Sequence, residues 1–361
     1  EESVVLECGS PILLSDIDLV VIVESLEAFK EFYPARSEIG SVCEKLLPGV
    51  RFLGRVEIGM VQYDYLHRLS PRPGVYDMKE RGKLLYGDRE ILDHITSYEP
   101  FSIGGRGAVV LIENRMISFL GAYPWKACDT DEEIYRFLYE MARVYTDILT
   151  SALCLAGLYR PGYVERCKFV GEIVDNESLA DLLPTELLPK IKKWTDFKIA
   201  PSTKNLGVEL DERSILELWE KGASDLLGFW EKGEAFLQGP DYDTSKTSVD
   251  HLLVSRKGSG KLLEHLRNWK TFLSRLPVGR RVALAKALRK RLLSEDPMDV
   301  VREYGVRLID HRLRYGTDRE VSMPPGSFPH CGGDWRDAVS RLYSLWVEIV
   351  FGRKENCTVG S

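Results

Sequence analysis

Apolar and polar positions alternate with a short period at the start of the chain, then settle into helical spacing for most of its length. Val4-Val5-Leu6-Glu7-Cys8 and Ile17-Asp18-Leu19-Val20-Val21-Ile22-Val23 are rich in β-branched residues and read as strands. Residues 26–47 read as a helix interrupted at Pro34 and Gly40. A further strand is expected over Val50–Val61, with Glu57 set between Val56 and Ile58. The turn-rich Ser70-Pro71-Arg72-Pro73-Gly74 follows, then Met78–Asp88 leads into a helix near Arg89–Thr96. Behind the cluster Gly104-Gly105-Arg106-Gly107, the run Val109-Val110-Leu111-Ile112 is expected as a strand, so the cluster reads as a bend between domains.

From Asp129 the period is that of a helix. Asp129-Thr130-Asp131-Glu132-Glu133 supplies a cap and an acidic first turn, and apolar residues from Ile134 to Leu149 carry one helix face toward Gly157. Further helices are expected at 164–174, 177–193, 212–237, 261–276, 279–293, 297–314 and 334–351, punctuated by Pro184, Pro189, Pro201 and Pro240. The expected class is α+β, a small mixed-sheet head followed by a mostly helical region. Its expected division is a head over 1–125, a helical domain over 126–245 and a basic helical region over 246–361.

Composition narrows the class further. With 361 residues, 44% hydrophobic and 29% charged, the chain can bury a substantial core. A formal net charge of -6 gives no global attraction to nucleic acid or to an anionic membrane, and no apolar run reaches spanning length. The seven cysteines are odd in number and form no Cys-x-x-Cys pair, which predicts reduced thiols and a cytoplasmic location. The six histidines form no pair at metal-ligand spacing, and neither a Gly-x-Ser-x-Gly elbow nor His-Glu-x-x-His occurs. Lys257-Gly258-Ser259-Gly260-Lys261-Leu262 lacks the glycine spacing of a phosphate loop. Residues 256–314 hold sixteen Lys or Arg against six Asp or Glu. The prevailing reading there is a solvated face whose stems cover the core, with phosphate tracking as the alternative.

The chemistry concentrates near the N-terminus. Asp16 and Asp18 stand two apart at the head of an apolar strand, so their side chains share one face. Two adjacent anions there are unfavourable unless a cation neutralises them, and carboxylate oxygens favour magnesium or manganese. Just upstream lies Gly9-Ser10, whose backbone and hydroxyl suit phosphate oxygens. Glu57 is an acid embedded in the next expected strand, and Asp64 lies at the end of the same stretch.

Gly9-Ser10 followed by Ser15-Asp16-Ile17-Asp18-Leu19 resembles the nucleotidyltransferases of the DNA polymerase β type, over about the first third of the chain. The connection Pro11–Ser15 is shorter than in most of that superfamily. The segment from Gly82 to Tyr86-Gly87-Asp88 is similar to an edge strand of small members. The resemblance implies a third acid on a neighbouring strand, Glu57 with Asp64 as the fallback; that Asp16, Asp18 and Glu57 bind magnesium or manganese; that Gly9 and Ser10 hold the phosphates of a nucleoside triphosphate such as ATP; and that a nucleoside monophosphate passes to an acceptor hydroxyl with release of pyrophosphate. It leaves the acceptor open among small molecule, protein and RNA. The alternatives are an inactive scaffold of the same fold, a toxin–antitoxin component, or an RNA-directed terminal transferase.

Overall fold

The computed structural model describes residues 3–5, 11–46, 49, 51–125, 128, 130–172, 176–207, 210–239, 248–255, 262–274, 276, 285, 291, 295–317, 321 and 334–351. By backbone proximity the chain clusters into two compact units. Unit 1 comprises residues 1–108 and 128–211, and unit 2 comprises 109–127 and 212–361.

Unit 1 begins with short β-segments that form two ladders. β1 (Val4–Val5) pairs antiparallel with β2 (Ile12–Leu13), which pairs parallel with β4 (Arg51–Phe52). β3 (Ile17–Val23) pairs parallel with β5 (Val56–Gln62). The two parallel pairs are continuous in chain direction: β2 passes into β3 through Leu14-Ser15-Asp16, and β4 into β5 through Leu53-Gly54-Arg55. At that joint Leu53 N–H donates to the Leu13 carbonyl (2.9 Å) and Ile17 N–H donates to the Arg55 carbonyl (2.8 Å).

Two helices make the parallel crossover. α1 (Leu26–Phe32) is capped by the Ser25 hydroxyl, which accepts from Ala28 N–H at 3.1 Å. Pro34 ends it in a 3-10 turn, and α2 (Arg36–Lys45) follows. Gly40 lies inside α2 rather than interrupting it. A Cβ there would stand 2.5 Å from the Val56 carbonyl oxygen, so the missing side chain lets α2 lie against β5.

The segment after β5 departs from expectation. Pro73 occupies the first turn of α3 (Pro73–Arg81), a favoured place for proline. Only a 3-10 turn, Ile91–His94, stands where a helix near 89–96 was expected. Residues 82–90 are exposed throughout and form neither helix nor strand, so the expected edge strand is not there. Leu66, Val75 and Ile95 bury a small core beneath these turns, with Ile22 and Val61 of the strands packed on it.

The helices of unit 1 are larger. α5 (Asp131–Leu155) opens with a capping box between Thr130 and Glu133 and buries most of its length. It lies along α8 (Leu187–Ile199), with Tyr145 stacked on Trp194 and Tyr135 on Phe197. Between them come α6 (Tyr163–Glu172) and α7 (Glu177–Leu182). The single helix expected over 177–193 is thus two. Pro184 falls in the break, while Pro189 fits the first turn of α8.

The expected strand at 109–112 is the interior of a helix, α4 (Gly105–Gly121), across which the unit boundary falls. Val109 and Ile112 are buried while Val110 and Leu111 are partly so, a helical spacing that four consecutive apolar residues cannot reveal in the sequence. The helix's seventeen residues, too long for a strand of this sheet, decide the matter. In unit 2, α9 (Glu212–Gln238), α10 (Val249–Ser255), α11 (Leu262–Ser274), α12 (Pro297–Tyr315) and α13 (Trp335–Phe351) complete the chain. Trp219 and Trp335 donate from their indole N–H to the carbonyls of Phe119 and Leu308, at 3.0 and 2.8 Å, so both tryptophans are satisfied core residues. The helix expected over 279–293 lies almost wholly outside the described residues. The overall class is a small N-terminal sheet followed by a helical region, consistent with α+β.

Candidate functional site

The register of β3 against β5 fixes the central geometry. Asp18 is the direct partner of Glu57 across the parallel ladder, so two carboxylates from different strands stand side by side. Asp16 sits one step before β3, at the joint between the ladders. There its Oδ1 accepts a hydrogen bond from Arg55 N–H at 2.9 Å. The carboxylate replaces a backbone acceptor where the pairing is interrupted, and this anchors it to the strand that carries Glu57.

Gly54 makes the joint possible. A Cβ on Gly54 would stand 2.3 Å from the Ser15 carbonyl oxygen and 2.9 Å from the Asp16 nitrogen. Only glycine lets the two backbones come this close, and the approach sets where Asp16 leaves the strand.

Electrostatics identify the three acids as one group. Partial burial first, and then the charge of Asp16, push the Asp18 carboxyl above the ordinary carboxylate range. Glu57 is pushed the same way, by burial first and then by Asp16 and Asp18. Asp18 still touches bulk water, which screens this repulsion. The opposing charges are Arg143 and Lys198 at Asp18, and Arg55 and Arg143 at Glu57. Arg55 Nε lies 4.0 Å from Glu57 Oε1. Arg143, on α5, is itself held by Glu140 at 2.8 Å. Tyr139, one turn before Arg143, has its hydroxyl pushed up by burial, with Asp16 among the charges that add to the push.

Three carboxylates without sulfur or imidazole form a donor set for a hard divalent ion. Among the described residues no three acids, histidines or cysteines stand as a ready ligand set. One oxygen of Asp16 is engaged by Arg55 N–H. Of the other residues expected at the site, Gly9 and Ser10 lie outside the described residues. Asp64 is exposed in the 3-10 turn Tyr63–Arg68 beyond the far end of β5, seven residues from Glu57, so it does not join the group.

Sequence reasoning missed the cations. Arg143 and Lys198 lie on α5 and α8, far along the chain from the acids, and each reads there as an ordinary helical charge. The one available signal was a cation at a position that the apolar spacing assigns to a buried face. Comparison with protein-family models, curated proteins and solved structures returns no match.

Proposed function

We propose that the chain is a metal-dependent nucleotidyltransferase that moves a nucleoside monophosphate from a nucleoside triphosphate to an acceptor hydroxyl. The observation that carries this reading is the register pairing of Asp18 with Glu57, with Asp16 at the adjoining joint. Asp18 and Glu57, pushed up by burial and then by neighbouring carboxylates, form with Asp16 a site that gains stability when a divalent cation enters it. Asp16, Asp18 and Glu57 would hold magnesium or manganese, and Gly9 and Ser10 would hold the phosphates. Magnesium, when bound, supplies charge neutralisation at the leaving pyrophosphate and acidity at the acceptor hydroxyl.

The chain's own work is positioning. The Asp16–Arg55 hydrogen bond and the Gly54 approach keep the first acid in place while the ladder keeps the other two. The acceptor oxygen bonds to the α-phosphorus, the bond from that phosphorus to the bridging oxygen breaks so that pyrophosphate leaves, and the hydroxyl proton passes to water.

The test is transfer of label from an α-labelled nucleoside triphosphate, with magnesium, into the acceptor fraction of a cell extract. Asp16→Ala and Asp18→Ala should each lower incorporation at least ~10²-fold, since losing even a supporting partner of a ligand costs 10–100-fold. Binding of a non-hydrolysable triphosphate should need the metal. Incorporation by Asp16→Ala close to that of the natural chain would overturn the reading.

A further inference from the structure

The two strands that carry Asp18 and Glu57 have different outer edges. In their parallel ladder Ile17 N–H donates to the Arg55 carbonyl at 2.8 Å, and Ile17 is the register partner of Val56. That phase turns the backbone groups of Ile17, Leu19 and Val21 toward β5, and those of Asp18, Val20 and Ile22 away from it. On β5 the same alternation turns Val56 outward, and there α2 closes the edge. Val56 N–H donates to Glu44 Oε1 at 3.0 Å, and the backbone at Gly40 lies against the Val56 carbonyl. The outer edge of β3 is open. Among the described residues its ladder is with β5 alone, and nothing hydrogen-bonds to the outward backbone groups of Asp18, Val20 and Ile22.

The side chains of β3 are open in the same place. Val20 is 46% exposed and Val21 41%, although successive residues of a strand point to opposite faces. Parallel strands are normally covered on both faces, and two strands alone are marginal in water. A helix laid on the sheet would cover only one of these valines. A strand laid alongside β3 shields both and also pairs the outward backbone groups. From Leu19 to Val23 the edge is apolar throughout, without the lysine or proline that blunts natural edges.

We infer that the open edge of β3 is the seat for β3 of a second copy of this chain, the two strands running antiparallel about a two-fold axis at Val20. In that register Val20 faces Val20 of the second copy and Asp18 faces its Ile22, so the outward groups of all three residues meet in hydrogen-bonded pairs. Leu19 faces Val21, which sets apolar side chains opposite one another. An axis at Val21 would set Asp18 against Glu24, and an axis at Leu19 would carry Ile22 past the end of the strand, opposite Asp16. With the axis at Val20, Asp16 and Glu24 meet only beyond the strand ends, and Asp16 is drawn toward β5 by Arg55 N–H. A second copy suits this edge better than a free peptide does, because β3 is already extended and loses no further backbone freedom on pairing. Each chain has one open edge, since α2 closes β5 at Val56, so the isologous pair ends at two copies and does not grow into a filament. None of this depends on the transferase reading.

The test is sedimentation velocity of the full chain over a concentration series. The natural chain should pass from monomer to dimer and no further. Val20→Lys and Val20→Glu each bring two like charges together at the axis, and each should weaken the dimer at least ~10-fold. An equimolar mixture of the two should form the dimer again, because position 20 is its own partner. Val20→Pro removes an outward N–H and no bond to β5, so it should weaken the dimer as well. Circular dichroism of each variant should match that of the natural chain, since Val20 lies outside the hydrogen bonds of the β3–β5 ladder. A natural chain that stays monomeric at every concentration would overturn the seat, whatever the variants do. A dimer undiminished by Val20→Lys would place the contact on another face and overturn it equally. Folded Val20→Lys and Val20→Glu chains that stay monomeric when mixed would overturn the register, and assembly past the dimer would overturn the closed pair.

Discussion

Asp18 and Glu57 face each other across a parallel ladder with Asp16 beside them, and this crowding has a cost that depends on pH. Both carboxyls titrate above their ordinary range, so the folded chain holds these protons more tightly than the unfolded chain does. Folding therefore takes up protons in the window between the ordinary carboxylate value and the raised one, and stability falls as pH rises through it. The metal-free protein should melt higher at pH values just below that window than at neutral pH. Asp18→Asn and Glu57→Gln should each raise the neutral-pH melting temperature by about 1–4 °C, the shift that ~0.5–1 kcal/mol of partly screened repulsion produces. Magnesium should raise the melting temperature of the natural chain and do little for either variant. Differential scanning calorimetry with and without EDTA reads all three. A fall in melting temperature on neutralising either acid would mean that the carboxylates are held by favourable contacts, against the electrostatics described here.

At the scale of elements, two glycines set the distances on which the acids depend. Gly54→Ala would bring a methyl group against the Ser15–Asp16 backbone, and backbone cannot yield as a side chain does. The substitution should cost about 1–3 kcal/mol. It should also weaken metal-dependent triphosphate binding although every carboxylate is intact. Gly40→Ala, where the contact is with the Val56 carbonyl beneath α2, should cost a similar amount while affecting binding less, since the Ser15–Asp16 joint is untouched. Chemical denaturation paired with triphosphate titration separates the two variants. Equal binding defects would show that the joint has no special role.

Elements also show what could be read from sequence and what could not. The apolar neighbours of Asp18 and Glu57 were enough to locate these two acids on strands, whereas Asp16, expected on the same strand, stands at the joint just before it. Only the register could reveal that Asp18 meets Glu57 rather than Asp64, because strand pairing is a long-range contact. The α4 run was misread because four consecutive apolar residues are too short a stretch to show a helical period. Pro73 and Pro184 were legible as breaks, but a break at a helix start and one between helices look alike along the chain. Lys198 was invisible, since nothing near Asp196-Phe197-Lys198 records that two tyrosines from other helices enclose its ammonium.

For the molecule as a whole the open matter is whether its basic stretch meets a polynucleotide. The chain carries a net charge of -6, so any attraction must come from a local surface with unpaired cations. Of the basic residues in 256–314, Arg280-Arg281 and Arg289-Lys290 lie outside the described residues. Those near and along α12 are engaged: Arg291 with Glu295 and Glu303, Arg302 with Asp299 at 2.8 Å, Arg307 with Asp250 and with Glu303 at 3.0 Å, Arg312 with Glu220 at 2.7 Å, and Arg314 with Asp310 at 2.6 Å. An arginine whose charge is met by a carboxylate releases few counterions when a phosphate approaches, because the carboxylate must be displaced first. RNA binding should therefore be weak, and the logarithm of its affinity should fall with the logarithm of salt at a slope shallower than about -2, against about -0.7 for each phosphate neutralised on a single strand. Fluorescence anisotropy of a labelled oligonucleotide across a salt series measures that slope. A slope steeper than about -4 would mean that several cations stand free for a backbone. The acceptor would then be sought among RNA ends instead of small molecules or proteins.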